Sequence, residues 1–211
     1  MADPDSEPEP DRERDEDAGE GVPVDDSGAS ADDAAVFVVL DYLAQGRPDD
    51  RQHRSEKTPI AHAIGETDFR LVELSIDREA DVSFGDRLRA DADVIERTRD
   101  IAYDDLTSTA RSELEYVLED LTEREEDRFV DIYNDAQPIS LRLHQLNLLP
   151  GIGKKLRNTI LDERKRSPFE SLADVDERVA GLHDPRKVLV DRVLEELRDE
   201  DLKYRMFVGQ E

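Results

Sequence analysis

Short apolar runs of strand length begin near residue 35. They cover residues 35–42, 59–64, 69–76, 87–94 and 101–103. The first is a β-branched run typical of a buried strand, and the third and fourth alternate between apolar and polar positions. In the third run, Val72, Leu74 and Ile76 share one face. Gly65 closes the second run, and a Phe84-Gly85-Asp86 turn precedes the fourth. Five short strands within about 70 residues predict a small antiparallel barrel.

After Thr107 the apolar period lengthens to that of a helix. The residues on one helical face are Ala110, Leu114, Val117 and Leu121. Thr122 and Glu125 have the spacing of a capping box, which predicts that a second helix begins there and ends before Pro138. Its inward residues are Phe129, Ile132, Tyr133 and Ala136. From Ile139 onward the pattern predicts helices joined by short turns, and the first has Leu141, Leu143, Leu146 and Leu149 on one face.

The chain is therefore predicted to be an α+β protein, with a small antiparallel β-barrel followed by a helical domain. The predicted units are a disordered acidic tail (1–33), the barrel (34–105), a helical connector (106–137) and the helical domain (138–211). The tail prediction rests on composition: 14 acids, four prolines, and Val22 and Val24 as the only branched aliphatic residues. Such a segment buries too little apolar surface to offset the entropy of ordering it.

Acidic residues outnumber basic ones by 55 to 29, a formal charge of −26, and only 6 of the bases are lysines. A carboxylate-rich surface of this kind keeps a protein hydrated at high salt. We therefore expect a halophilic protein; the alternative is an ordinary acidic protein with an acidic tail. An acidic surface with this origin does not exclude a nucleic acid as partner.

Several classes of site are excluded by residue type or spacing. The chain has no cysteine, which excludes disulfides and thiolate metal sites. It has no membrane-length apolar run and no signal peptide, so we expect a soluble, cytoplasmic protein. The four histidines lack the spacing of metal ligands, and no nucleophile motif or Walker loop is present, so no catalytic residue and no metal site are predicted.

One basic island interrupts the acidic pattern between Leu148 and Phe169. Its cations are Lys154, Lys155, Arg157, Arg164, Lys165 and Arg166. Pro150-Gly151-Ile152-Gly153 precedes them and predicts a tight turn with Ile152 packed inward. A helix over residues 154–164 would begin with unpaired N–H groups at the positive end of its dipole, which predicts a phosphate site flanked by lysines. For residues 164–166, contact with nucleic acid and neutralisation of a helix C-terminus are open alternatives.

The stretch Leu149-Pro150-Gly151-Ile152-Gly153, followed by Lys154-Lys155, resembles the helix-hairpin-helix motif of proteins that bind nucleic acid without sequence specificity. Residues 179–185 resemble a second, degenerate hairpin, with His183 where the motif has its second glycine. There Asp184 is suited to cap the last helix, which Pro185 would open. The core positions of that helix are Leu189, Val190, Val193, Leu194 and Leu197.

The order of parts is similar to archaeal domain-of-unknown-function family 655. The stretches that carry the resemblance are residues 36–42, 59–65, 69–74, 84–88 and 149–164. The family consists of predicted RNA-binding proteins with a barrel like the oligonucleotide/oligosaccharide-binding (OB) fold, followed by a helix-hairpin-helix. The resemblance implies an archaeal RNA-binding protein without established activity. No cofactor is expected, and a monovalent cation at the hairpin stays open.

These observations lead to three hypotheses about function. The leading hypothesis is a non-enzymatic protein that binds RNA, or alternatively DNA, through the sugar-phosphate backbone. Its candidate site residues are Gly151, Ile152, Gly153, Lys154, Lys155, Arg157, Arg164, Lys165 and Arg166. The second is an adaptor that docks on a ribosomal or transcription component, and the third is a metal-dependent nuclease. Few exposed aromatic residues on the barrel would favour the adaptor, because single-strand readers use stacking platforms. The loop over residues 46–57, with four bases, is a further candidate surface of the barrel.

Overall fold

A computed structural model describes residues 34–47 and 58–209. The predicted tail (1–33) and most of the basic loop (48–57) lie outside the described residues. The β-strands are β1 (Val36–Leu43), β2 (Ile60–Gly65), β3 (Leu71–Ile76), β4 (Arg87–Arg89) and β5 (Ile95–Asp100). They form one antiparallel sheet in the order β4-β1-β2-β3-β5, which curls into half a barrel. The expected α+β class is confirmed, and the half-barrel is compatible with the predicted barrel.

The first three strands were predicted to within two residues, but the last two were not. The alternating run over residues 87–94 leaves the sheet after β4, because the chain turns at residues 90–94. The last strand is β5, whereas the predicted strand at residues 101–103 leads into a short 3₁₀ helix, Tyr103–Asp105. All residues of β5 after Ile95 are exposed on this edge strand. An exposed edge strand needs no apolar residues, so its sequence carries little strand signal.

The two faces of the sheet bury different apolar sets. One face forms the small interior of the half-barrel, with the residues Phe37, Val39, Ala61, Ala63, Val72, Leu74 and Ile76. The opposite face, which includes Val38, Leu40 and Ile64, packs into the core that the helices share. The prediction that Val72, Leu74 and Ile76 lie together is confirmed.

Five α-helices follow the sheet. They are α1 (Ser108–Arg124), α2 (Glu126–Asp135), α3 (Lys154–Arg166), α4 (Leu172–Arg178) and α5 (Pro185–Arg198). Thr107 caps α1, and its hydroxyl O accepts the N–H of Ala110 at 3.0 Å. All five core positions predicted for the last helix are buried in α5.

Two local helix predictions were wrong in part. The predicted second helix exists as α2 and ends before Pro138, but it begins at Glu126. Thr122 does not start a helix: it is buried inside α1, where its hydroxyl donates to the Leu118 carbonyl O at 2.7 Å. Because that bond satisfies the hydroxyl within a continuing helix, the capping-box spacing of Thr122 and Glu125 does not start a new helix at Thr122. The helix expected over residues 141–149 is only a 3₁₀ helix, Gln145–Leu148. The preceding residues form a tight loop, closed by a bridge between Pro138 and His144, with Leu141 fully exposed at its tip.

One hydrophobic core connects the sheet to every α-helix. Its centre contains Phe69, Phe129 and Phe207, whose ring centroids lie 6.0–6.3 Å apart. These rings come from the β2–β3 connection, α2 and the C-terminal segment. The core therefore runs across the predicted boundaries at residues 105 and 137. Within the described part of the chain, no helix has both the length and the apolar character needed to cross a membrane.

Candidate nucleic-acid interface

The turn before α3 has one glycine that the backbone requires and one that it does not. Gly151 has φ +78°, in the region that favours glycine, whereas Gly153 has φ −79° and ψ −179°, which any residue adopts. Leu149 and Ile152 are buried on either side of the turn, and the Ile152 N–H donates to the Leu149 carbonyl O at 3.2 Å. The predicted inward packing of Ile152 is confirmed, and it anchors the turn in the core.

The N-terminus of α3 lacks a side-chain cap. Gly153 is the N-cap residue and offers no side-chain acceptor, and no other side chain in residues 34–47 or 58–209 accepts a hydrogen bond there. The first intrahelical bond joins the Arg157 N–H to the Gly153 carbonyl O at 3.0 Å. The N–H groups of Lys154, Lys155 and Leu156 are therefore left for solvent or a ligand, at the positive end of the helix dipole. A Cβ on Gly153 would have no heavy atom within 4 Å, so this approach is open.

Two cations beside this terminus are unpaired. Lys154 and Lys155 are exposed in the first turn of α3, and among the described residues neither forms an ion pair. Many other cations of this acidic protein are held by carboxylates, for example Lys187 by Glu115 and Asp191. The open N–H groups and the unpaired ammonium groups together form a local site for an anion.

Asn147 joins the turn to Arg157, a role that the sequence analysis missed. Its side-chain Nδ2 donates to the Ile152 carbonyl O at 3.0 Å, and its Oδ1 accepts from Arg157 Nη1 at 3.1 Å. Arg157 also donates to Asn158 Oδ1 at 3.0 Å. These bonds hold the guanidinium close to the turn. No pattern signals the contact, because an asparagine in a loop is common and its partner lies 10 residues away.

The remaining cations of the island lie at the other end of α3, roughly 17 Å from its N-terminus at 1.5 Å per residue. Arg164 donates to the carbonyl O atoms of Tyr133 (3.1 Å) and Ala136 (3.0 Å), at the C-terminus of α2. Burial lowers the pKa of Arg164, opposed by nearby Asp135. Lys165 and Arg166 are exposed and form ion pairs with Asp162 and Glu163. Within the part of the chain that the structure describes, the island thus divides into an N-terminal lysine pair without ion-pair partners and a bonded C-terminal group.

The turn between α4 and α5 has the same geometry as the turn before α3, except at the residues that directly precede the helix. Gly181 has φ +93°, Val179 and Leu182 are buried, and the Leu182 N–H donates to the Val179 carbonyl O at 3.0 Å. The difference is Asp184, whose Oδ1 accepts the Lys187 N–H at 3.0 Å. The predicted cap by Asp184 is confirmed. A carboxylate of the chain itself therefore occupies the position that is open at α3.

The two buried histidines are engaged inside the fold. His62 Nδ1 accepts the Thr107 N–H at 3.3 Å, and burial lowers the pKa of His62 against the opposing effect of Glu73. His144 Nδ1 accepts the Leu146 N–H at 3.2 Å, and burial, followed by the charges of Arg164 and Arg157, lowers its pKa. Across residues 34–47 and 58–209, no three His, Asp or Glu side chains are arranged to hold a metal ion.

Comparisons with known proteins place the chain in a family. The model of the family described as "Protein of unknown function (DUF655)" matches residues 33–209. The uncharacterized protein MJ0038 of Methanocaldococcus jannaschii is 39% identical over 175 residues, which are 81% of this chain and 77% of that protein. The crystal structure of Af1531 from Archaeoglobus fulgidus, assigned to the same family, is 38% identical with a TM-score of 0.76, over 82% of this chain and 98% of that one. The chain therefore belongs to the DUF655 family of proteins of unknown function.

Proposed function

We propose that this protein binds nucleic acid by holding the sugar-phosphate backbone at the N-terminus of α3. The observation that carries the proposal is the N-terminus of α3 behind Gly153, where Lys154, Lys155 and the first N–H groups have no partner among the described residues. A phosphate placed there would accept backbone N–H groups and be attracted by two ammonium groups. Such contacts carry no base information, so binding would be independent of sequence.

The turn geometry supports interpreting these helices as helix-hairpin-helix units. Both turns place a buried aliphatic residue on each side of a glycine with positive φ. In the first unit the leading helix is a 3₁₀ helix of four residues, which departs from the motif. We assign the phosphate site to the first unit alone. In the second unit the carboxylate of Asp184 occupies the corresponding position, and its negative charge would repel a phosphate. The half-barrel is consistent with an OB-like sheet.

The class of nucleic acid comes from the family resemblance, which favours RNA over DNA. We propose that the protein binds RNA without catalysing a reaction, and that it does so at high salt in the cytoplasm of an archaeon. Directed hydrogen bonds suit such conditions, because salt weakens contacts that depend on the release of counterions. Two or three phosphate contacts would give a slope of log affinity against log salt of about −2 to −3.

Charge reversal at the site tests the proposal. The double variant Lys154→Glu, Lys155→Glu keeps two exposed helical positions, so it should fold like the parent. Its affinity should fall to a similar degree for several unrelated RNA sequences, measured by fluorescence anisotropy in a potassium chloride series. Lys203→Glu, an exposed lysine outside the island, is the control for a general change of charge. Unchanged affinity of the folded double variant would overturn the assignment.

One observation favours the second function, a protein-interaction adaptor. Among the described residues of the sheet and its loops, Phe84 is the one aromatic side chain classed as exposed. A sheet that reads single-stranded RNA would present several aromatic rings for stacking. Contact with nucleic acid is therefore assigned to the hairpin, and the adaptor is the function that a failed charge-reversal test would support.

A further inference from the structure

We propose that Phe84 and Tyr116 form a docking surface for an arginine-containing basic segment of another protein. The two rings are the exposed large aromatic side chains of the described chain, 45% and 62% accessible, and they touch each other. Their centroids lie 6.5 Å apart at an interplanar angle of 38°. They come from different elements, the β3–β4 connection and α1. This surface is separate from the phosphate site and does not depend on the proposed function.

The Phe84 ring is presented by a fixed turn. Gly85, with φ +81°, donates its N–H to the Val39 carbonyl O at 2.9 Å, and the Val39 N–H donates to the Asp86 carbonyl O at the same distance. The carboxylate of Asp86 also accepts the Ser83 N–H at 2.8 Å. Both bonds to β1 come from the two residues that follow Phe84, and the Ser83 bond closes the turn on the side that precedes it. An aromatic side chain that is held in place and half exposed loses little entropy when a partner covers it.

A cleft of about 350 Å³ adjoins Tyr116, between α1 and the start of α5. Its acidic lining consists of Glu119, Asp120, Glu123 and Asp184. Glu119 lies three residues from Tyr116 on the same face of α1 and has no ion pair among the described residues. Asp120 is paired with Arg124, Glu123 lies 3.7 Å from Arg186, and Asp184 caps α5, so Glu119 is the carboxylate available to a partner.

Two cations also line the cleft, and both are bonded within the chain. Lys187 Nζ lies 3.1 Å from Glu115 and 2.9 Å from Asp191, and these hydrogen bonds raise the pKa of Lys187. Arg186 lies 3.7 Å from Glu123. The four carboxylates outnumber these two cations, so the cleft attracts a cation and repels phosphate.

The aromatic pair determines the kind of cation. The whole chain is acidic, so charge alone does not distinguish this surface from others. A guanidinium group stacks on an aromatic ring and binds a carboxylate through two parallel hydrogen bonds, whereas an ammonium group does neither as well. Tyr116 beside Glu119 therefore suits arginine. A nucleic acid stacked on the same rings would bring its phosphates against the carboxylates.

The test compares two peptides of equal charge, one with arginines and one with lysines at the same positions. The parent protein should bind the arginine peptide more tightly, and Tyr116→Ser should weaken that binding by about three- to thirty-fold. Glu119→Gln should reduce the preference for arginine. Leu141→Ser removes an exposed apolar side chain elsewhere and should change nothing. RNA affinity should be unchanged in Tyr116→Ser.

Four results would overturn the inference. Equal binding of the two peptides, or no effect of Tyr116→Ser, would show that the acidic surface attracts cations without using the rings. A loss of RNA affinity in Tyr116→Ser would make the pair a stacking platform for nucleic acid. A change from dimer to monomer in that variant, measured by analytical ultracentrifugation, would make it a contact between copies of this chain.

Discussion

Replacing Gly153 by aspartate should stabilise the protein and weaken nucleic-acid binding together. One carboxylate would take the N–H donors that we assign to phosphate. The second turn contains the precedent, since Asp184 Oδ1 accepts the Lys187 N–H at 3.0 Å. Gly153 has extended backbone angles, and a Cβ there meets no heavy atom within 4 Å. The substitution should therefore introduce no strain.

The expected gain in stability is small but measurable. Aspartate is better than glycine at an N-cap by a few tenths of a kcal/mol. Its charge at the positive end of the helix dipole contributes about 0.3–1 kcal/mol. A gain of 1 kcal/mol raises Tm by about 2–4 °C in a chain of this size, so we expect an increase of about 1–4 °C.

The expected loss of affinity is larger. A hydrogen bond to a charged group contributes about 1.5–3 kcal/mol, and the added carboxylate also repels phosphate. Losing one such bond would weaken binding by about 10- to 140-fold. Gly153→Asn caps the same N–H groups without the charge and should lose less affinity. Gly153→Ala adds the Cβ alone and controls for bulk.

The assay combines thermal unfolding with fluorescence anisotropy of a labelled RNA, both in a potassium chloride series. The decisive pattern is a higher Tm with a lower affinity in Gly153→Asp. If this variant is more stable but binds RNA like the parent at every salt concentration, the N-terminus of α3 is not the phosphate site. If its Tm falls, the terminus is not free to accept a cap, and the geometry of the site is wrong.

Two further predictions concern buried ionisable groups. The carboxylate of Glu196 accepts a hydrogen bond from Arg192 Nε at 2.8 Å and further bonds from the backbone N–H groups of residues 206–208. In Glu196→Gln, the amide NH₂ group would face these donors, and Arg192 would lose part of its charge pairing. The substitution should cost about 3–5 kcal/mol in denaturant unfolding, with faster hydrogen exchange at residues 206–208, and an unchanged midpoint would contradict this. Burial lowers the pKa of His62, so its contribution to stability is present above about pH 6.5 and is lost as pH falls toward the folded-state pKa. His62→Gln should therefore lose less unfolding free energy than the parent between about pH 7 and pH 5, and parallel pH profiles would contradict this.

Strong local patterns gave correct predictions of structure. β1 to β3, α3 and α5 were all recognisable, because apolar residues mark the buried run or face of each element and its ends carry glycine, proline or a capping aspartate. β5 was missed because an exposed edge strand has no apolar face. Thr122 was misassigned because a hydroxyl can be satisfied inside a helix as well as at its start. These errors lie where the local signal is compatible with two structures.

The local part of the candidate site follows from the amino-acid order alone. Gly151 and Ile152 specify the turn, and Gly153 leaves the next helix without a cap, since each effect depends only on the residue and its immediate neighbours. Which cations of the island lack a partner among the described residues depends on how distant segments pack. Arg164 bonds carbonyl groups 28 and 31 residues away on α2, whereas Lys154 and Lys155 meet no carboxylate among the described residues. A count of charges along the chain assigns these cations equal value, because their partners are brought to them only when distant segments pack together.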